Sequence, residues 1–151
     1  MGARLIRKGR AHRPAPTTED IVRFLESEHD DLRKTAAYVL GVLNDKRTIP
    51  ALKRSLEDSV LDVRWNAALS LARLGDDSGR GVLLEMLDRN RLRETYRMNE
   101  AEIERVMINA VKGLGLIYDS NDRTILESVS KTDLSLKVRQ AALTVIRVYS
   151  K

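Results

Sequence analysis

The stretch LDVRWNAALSLARLGDD, residues 61–77, decides the fold of this chain. Its apolar residues Ala67, Leu71 and Leu74 follow one another at offsets of 0, +4 and +7, which is one face of an α-helix. A single tryptophan, Trp65, stands two residues before the alanine. Which way Trp65 points depends on whether the same pattern recurs elsewhere in the chain.

The pattern recurs in three further segments, and each begins with an alanine at the first position. The aligned alanines are Ala36, Ala67, Ala110 and Ala142, and they are separated by 31, 43 and 32 residues. A period near 31 residues, with one insertion of about a dozen, is typical of an α-solenoid of helix pairs. The second helices are therefore predicted at 32–43, 63–74, 106–117 and 138–149. The first helices are predicted just before them, at 17–27, 47–58, 79–90 and 121–131.

Residues 45–77, DKRTIPALKRSLEDSVLDVRWNAALSLARLGDD, resemble a HEAT repeat, in particular the short form first noted in phycobilisome lyases. That form has a proline near the start of its first helix and the pattern D-x-V-R-x-x-A-A-x-x-L-x-x-L-G in its second. The matching residues are Pro50, Ala51, Leu52, Leu56, Asp58 or Asp62, Val63, Arg64, Ala67, Ala68, Leu71, Leu74 and Gly75. The resemblance implies an all-α fold, a right-handed α-α superhelix of about four helix pairs.

The resemblance covers residues 17–151 and also implies how the chain is divided. The repeats would be about 17–44, 45–75, 76–118 and 119–151, with residues 89–100 inserted in the third. In this family an aspartate and an arginine commonly form a ladder of ion pairs between neighbouring repeats. The arginines of the ladder would be Arg33, Arg64 and Arg139, and the acids Asp30 or Asp31, Asp62 and Asp133.

Positive charge is concentrated in residues 1–16, which contain five basic residues and no acid. These are Arg4, Arg7, Lys8, Arg10 and Arg13. The other 22 basic residues are balanced by 22 acids, so the net charge of +5 describes this segment and not a basic domain. One interpretation is that the segment is disordered and tethers the protein to nucleic acid or acidic lipid. Another is that it caps the first repeat. A third is that the chain is part of a longer solenoid.

Catalytic chemistry has little support in the sequence. The chain has no cysteine, which excludes thiol catalysis and Cys-ligated metals, and it contains none of the common nucleotide, hydrolase or metalloprotease motifs. The residues Glu28, His29, Asp30 and Asp31 are consecutive on a short loop and rarely converge on one ion in such an arrangement. We therefore expect no enzyme activity, no cofactor and no metal. The absence of an apolar run near 18 residues predicts no membrane span, and we expect a cytoplasmic protein.

Residues two positions before and after each aligned alanine point about 160° away from the core, because one residue turns a helix by about 100°. In HEAT-like stacks the second helices line the concave side, so the resemblance places these residues on a binding face. The residues predicted to bind a partner there are Tyr38, Trp65, Leu69, Arg73, Ile108 and Lys112. Trp65 is the predicted anchor.

The insertion is predicted to form an arginine-rich rim beside this binding face. Arg91, Arg93 and Arg97 surround Tyr96, and arginine with tyrosine is typical of interfaces. The alternative is that the insertion covers the core with Leu92, Tyr96 and Met98.

Three functions are consistent with the sequence. The first is a non-catalytic protein-protein interaction scaffold that presents the second helices to a partner whose identity the sequence does not reveal. The second is nucleic-acid binding or lesion recognition through the arginine-rich insertion and the basic segment. The third is an accessory subunit of a lyase-type enzyme. The protein could also associate with itself.

Overall fold

The computed structural model of the chain describes residues 14–150, and this part contains α-helices and single 3₁₀ turns but no strand. Residues 1–13 of the predicted basic segment lie outside the described residues. The helices are α1 Thr18–Phe24, α2 Asp30–Leu43, α3 Ile49–Ser55, α4 Leu61–Arg73, α5 Arg80–Glu85, α6 Arg89–Glu94, α7 Glu100–Leu116, α8 Asp122–Thr132 and α9 Leu136–Tyr149.

Eight of these helices form four consecutive pairs, which confirms the predicted all-α solenoid. The pairs are α1 with α2, α3 with α4, α5 with α7, and α8 with α9. The second members, called here the B helices, also pack against one another in chain order. The remaining helix, α6, lies within the insertion.

The insertion changes the third pair more than the spacing alone predicts. The first helix ends at Glu85, and a new helix begins where the Asp88 side chain accepts a hydrogen bond from the Arg91 amide at 3.0 Å. The second helix begins at Glu100, six residues before the predicted start. Its first turn is closed by a capping box, in which the Asn99 side chain accepts from the Glu102 amide and the Glu102 carboxylate accepts from the Asn99 amide. The insertion therefore contains a short helix of its own and adds a turn and a half to the start of the next one.

The aligned alanines lie in the core, as their pattern predicts. Each is at most 3% exposed, and the leucines on the same helix face surround them. The α2 and α4 backbones approach closely where Gly41 faces Ser70, whose hydroxyl donates to the Ala37 carbonyl at 2.6 Å. A Cβ atom at Gly41 would lie 2.7 Å from the Cα of Ser70. Glycine is thus required by the packing of these two helices.

Between residues 14 and 150, Arg33 is the one predicted ladder arginine that binds an aspartate of the next repeat, and that aspartate is Asp58, which the ladder prediction did not include. Arg33 donates from Nε to Asp58 at 2.8 Å and from Nη2 to Asp30 at 2.9 Å. The prediction was wrong for Arg64, which donates to the backbone carbonyl of Asp58 at 2.6 Å and has no carboxylate partner among the described residues. Asp62 lies instead 3.9 Å from the Lys34 ammonium group.

Arg33 and Arg64 differ because an ion pair of the ladder requires an acid at one position of the next repeat. Asp58 and Asp133 each lie nine residues before an aligned alanine, whereas the third repeat has Ala101 at that position and offers Arg64 no acid. The third repeat also has Met107 where the ladder arginine would stand. Asp133 is consequently bound by Arg89 of the insertion and not by Arg139.

Candidate functional site

The exposed surface of the B helices follows one register. Relative to each aligned alanine, the side chains at −5, +2 and +6 are exposed or half-buried in all four repeats. These twelve positions are called the B-helix face: Asp31, Tyr38, Val42, Asp62, Leu69, Arg73, Arg105, Lys112, Leu116, Lys137, Thr144 and Val148. Four predicted contact residues, Tyr38, Leu69, Arg73 and Lys112, therefore share one surface. On it the Arg73 guanidinium lies 5.3 Å from the centre of the Tyr38 ring.

The prediction that Trp65 is exposed was wrong, since its side chain is only 7% exposed. The +2 position faces outwards, but the −2 position lies about 40° further round the helix, on the side that faces the following repeat. Trp65 accordingly packs edge-to-face against Tyr96 of the insertion, with ring centres 6.1 Å apart. Ile108 occupies the same position in α7 and is half-buried for the same reason.

Trp65 nevertheless lines a cleft that opens between α4 and α7. The cleft has a volume of about 360 Å³, within the range of sites that bind small molecules or single side chains. Its lining residues are Lys34, Asp62, Trp65, Asn66, Leu69, Met86, Met98, Glu102, Arg105, Val106 and Asn109. The buried Trp65, Met86 and Val106 form an apolar floor, and charged and amide side chains form the rim. We call this the Trp65 cleft.

The cleft lies at the insertion. The B helices α4 and α7 are in looser contact than α2 with α4 or α7 with α9, and the insertion that separates α5 from α7 packs beside them. Tyr96 and Met98 occupy part of the gap and pack on the core together with the fully buried Leu92. The insertion thus covers the core, as the alternative interpretation predicted, and leaves one opening beside Trp65.

The rim of the cleft is polar, and only some of its side chains have hydrogen-bond or ion-pair partners. Lys34 approaches Asp62, and Glu102 accepts from the Asn99 amide at 2.9 Å. Arg105 and Asn109 lie one helical turn apart on α7, and neither side chain has a hydrogen bond or ion pair to another residue between 14 and 150. Both are exposed, so their donors are available to a bound molecule.

The sequence prediction missed Arg105 and Asn109 because it compared the repeats only at the offsets of −2 and +2, with Arg73 added in the second repeat. The register that places Leu69 at the surface places Arg105 there as well, five residues before Ala110. Both Arg105 and Asn109 lie on the side of the helix that is exposed in all four repeats. Met86 and Met98 carry no such signal, because their place in the cleft depends on the path of the insertion.

The predicted arginine rim is largely engaged within the molecule. Arg91 lies 3.7 Å from Glu85 and 5.7 Å from the Tyr96 ring centre, and Arg93 donates to Glu100 at 3.0 Å. Arg97 is exposed in a left-handed backbone conformation, with φ of 56°. That these residues bind a partner stays a prediction.

A second, apolar groove lies between α7 and α9 on the same face. It is lined mainly by Leu116, Val145, Val148 and Tyr149, and its volume is about 320 Å³. The Tyr149 hydroxyl donates to the Gly115 carbonyl at 2.7 Å, and its ring stacks on Tyr118 at 4.2 Å. The B-helix face therefore carries two depressions, separated by the exposed side of α7.

The part of the chain that the structure describes contains neither a cluster of metal-binding side chains nor a membrane-spanning helix. Between residues 14 and 150, no three His, Asp or Glu side chains come together in a way that could hold a metal ion. No helix in the same range is long and apolar enough to cross a membrane.

Comparison with known proteins identifies the fold. A family profile described as HEAT repeats matches residues 18–101. Among solved structures, the complex of CpcE and CpcF of phycocyanin lyase from Nostoc sp. PCC7120 contains a similar chain, with a TM-score of 0.53 and 19% identity. The match covers 89% of this chain and 65% of that one, so this chain spans just under two thirds of its length. No curated protein is significantly similar in sequence.

Proposed function

This chain belongs to the HEAT-repeat family, and on that premise we propose that it is a non-catalytic protein-binding module that acts through the B-helix face. The observation that carries the proposal is the Trp65 cleft, a depression of the B-helix face with buried apolar residues in its floor and a polar rim. Binding energy at protein interfaces is concentrated where one bulky side chain enters a water-excluding pocket surrounded by polar groups.

The cleft would take a large apolar side chain of a partner protein. The floor of Trp65, Met86 and Val106, with Met98 beside it, offers indole, thioether and aliphatic groups, which adapt well to aliphatic and aromatic shapes. Arg105 and Asn109 would orient the partner by donating hydrogen bonds from the rim. The neighbouring groove at Leu116 and Val148 extends the contact along the face, so the partner would span more than one repeat.

We propose that the protein catalyses no reaction and that it is located in the cytoplasm. The cleft residues offer amide, carboxylate, guanidinium and ammonium groups but no hydroxyl or thiol nucleophile held by a base, which acyl transfer would require. Nucleic-acid binding through the insertion is a weaker candidate, because the Arg91 and Arg93 side chains already have carboxylate partners. An accessory role beside a lyase-type enzyme is supported by the shared fold with the phycocyanin lyase complex alone.

The test is a quantitative pull-down from native lysate with the wild-type chain and an R105A/N109A variant. Both residues are exposed and without partners in the described part, so the variant is expected to keep its fold. The control is K131A/T124A, which changes two exposed residues of α8, away from the B-helix face. We expect proteins enriched by the wild type and the control to be recovered at least about tenfold less with R105A/N109A, a difference of about 1.4 kcal/mol. Equal recovery by all three chains would contradict the proposed site.

A further inference from the structure

The B-helix face carries an excess of positive charge within repeats whose charges balance. Residues 17–151 contain 22 basic and 22 acidic residues. Of the twelve positions on the face, four are basic and two are acidic. The basic ones are Arg73, Arg105, Lys112 and Lys137, and the acidic ones are Asp31 and Asp62. The distribution of charge over the repeats therefore makes this face positive.

Neighbouring side chains already neutralise both acids of the face and one of its cations. The Lys34 ammonium group lies 3.2 Å from Asp31 and 3.9 Å from Asp62. Lys137 donates to the Glu104 carboxylate at 3.0 Å. The uncompensated charge of the face therefore comes from its other three cations.

Those three cations, called here the unpaired cations, are Arg73, Arg105 and Lys112. All three are exposed, and none has a carboxylate within ion-pair distance between residues 14 and 150. The Arg73 guanidinium lies over the Tyr38 ring, a contact that uses the flat side of the group and leaves the N–H groups at its edge accessible. An arginine of this kind can bind a carboxylate through two parallel hydrogen bonds.

The unpaired cations lie at both ends of the cleft. Arg105 is one of its lining residues, and Lys112 follows two helical turns later on α7, about 10 Å along the axis. Leu69 lines the end nearer Lys112, since a Cβ atom at Gly113 would lie 3.2 Å from the Leu69 side chain. Arg73 follows Leu69 by one turn of α4. A molecule whose apolar side chain enters the cleft would therefore meet a cation on either side.

We propose that the partner contacts the B-helix face with an acidic segment, in which carboxylates lie on both sides of the apolar side chain that enters the Trp65 cleft. This inference rests on the proposed function and specifies the chemistry of the partner. One carboxylate would bind Arg105, and others would bind Lys112 and Arg73. An extended chain advances about 3.3 Å per residue, so the carboxylates bound to the two cations of α7 would be about three residues apart.

The rim of the cleft favours a peptide over a nucleic acid. Asp62 and Glu102 line the same cleft as Arg105. A nucleic-acid backbone carries a negative charge at every nucleotide, and some of its phosphates would lie against these two carboxylates. A peptide places its acids only where the cations are, and its apolar side chain matches the buried floor of the cleft.

The test selects phage-displayed random dodecapeptides on the immobilised full chain at low salt. We expect the selected peptides to carry an excess of Asp and Glu around a bulky apolar residue. They should bind R73Q/R105Q/K112Q at least about tenfold more weakly than the wild type, measured by fluorescence polarisation. The matched control, K46Q/R54Q/K131Q, removes three charges from exposed residues outside the face and should bind as the wild type does.

Reversing the charge gives a result that a structural role of these residues would not produce. The variant R105E/K112E should select peptides with Lys and Arg in place of the acids, around the same kind of apolar residue. Circular dichroism establishes that each variant is folded. Oligothymidylate serves as the competitor that represents single-stranded nucleic acid.

The possible outcomes separate this inference from the proposed function. Selected peptides with a bulky apolar residue but no excess of acids would overturn the inference and leave the apolar cleft as a binding site. Failure of the wild type to select any peptide would contradict both. Acidic peptides that bind the triple variant as tightly as the control would overturn the inference, and so would oligothymidylate that binds the face more tightly than they do.

Discussion

Arg89 holds the carboxylate of Asp133 at two points, with Nη2 2.7 Å from Oδ1 and Nε 3.0 Å from Oδ2. Arg89 comes from the insertion, while Asp133 closes the first helix of the fourth repeat. The pair occupies the position of the Arg33–Asp58 rung, so the insertion supplies the arginine that the third repeat lacks. It joins α6 to the C-terminal pair and couples the insertion to the solenoid.

Replacing Arg89 with alanine should lower the free energy of unfolding by about 3 kcal/mol, because Asp133 is only 5% exposed and would keep an uncompensated charge. Urea denaturation measures the change. The matched variant is R93A, whose exposed pair with Glu100 should contribute less than about 1 kcal/mol. Equal effects of the two substitutions would show that the Arg89 pair has no structural role.

Replacing Trp65 with alanine should destabilise the protein by about 3 kcal/mol or more, because a large buried side chain leaves a cavity beside Tyr96. The control is Leu69, which lies one turn after Trp65 on α4 and is only half-buried, so L69A should cost clearly less. Thermal and urea unfolding measure both variants. A melting temperature of W65A within about two degrees of the wild type would mean that the indole is not part of the core.

Two glycine substitutions should have opposite signs. G41A places a Cβ atom against the Ser70 backbone and should destabilise by roughly 2 kcal/mol, since neither helix can move away without losing contacts. Gly81 lies within α5 with open space around it, so G81A should stabilise by about 0.5–1 kcal/mol through helix propensity. Unfolding midpoints measure both, and a neutral G41A would contradict the close approach of α2 and α4.

The Asp58 carboxyl should make stability depend on pH below about 4. Burial alone would raise the pKa of Asp58, but hydrogen bonds from Arg33 and from the Val60 amide outweigh it and hold the pKa below its ordinary value. The folded state therefore binds this proton less readily than the unfolded state, and its stabilising contribution is present above the unfolded pKa and lost as the pH falls. Urea unfolding between pH 7 and 3 should show a steeper loss for the wild type than for D58N. Identical slopes would mean that folding does not change the pKa of Asp58.

The repeat register was predictable from the sequence, and the directions of individual side chains were only partly so. Four alanines at helical spacing define which side of each B helix faces the core, and their burial follows from sterics shared by all four repeats. The direction of Trp65 depends on the neighbouring repeat, and an offset of −2 from the alanine points towards that neighbour. No property of α4 alone distinguishes −2 from +2.

The ladder failed as a prediction for a related reason. An arginine at the right place forms a rung only when the next repeat offers an acid, and Ala101 offers none to Arg64. Arg89 could not be identified as a substitute from spacing, because its approach to Asp133 depends on how residues 86–99 turn. Local pattern determines the helices, whereas contacts across the insertion depend on its three-dimensional path.

The looser contact between α4 and α7 has a consequence for how such a protein can diversify. The floor of the Trp65 cleft belongs to the core and cannot change freely without loss of stability. The separation of its two walls, however, is set by a segment outside the regular repeats. Lengthening or shortening residues 86–99 would alter the width of the opening while every helix kept its own sequence, so a solenoid of this kind can acquire a new preference by changing one connection.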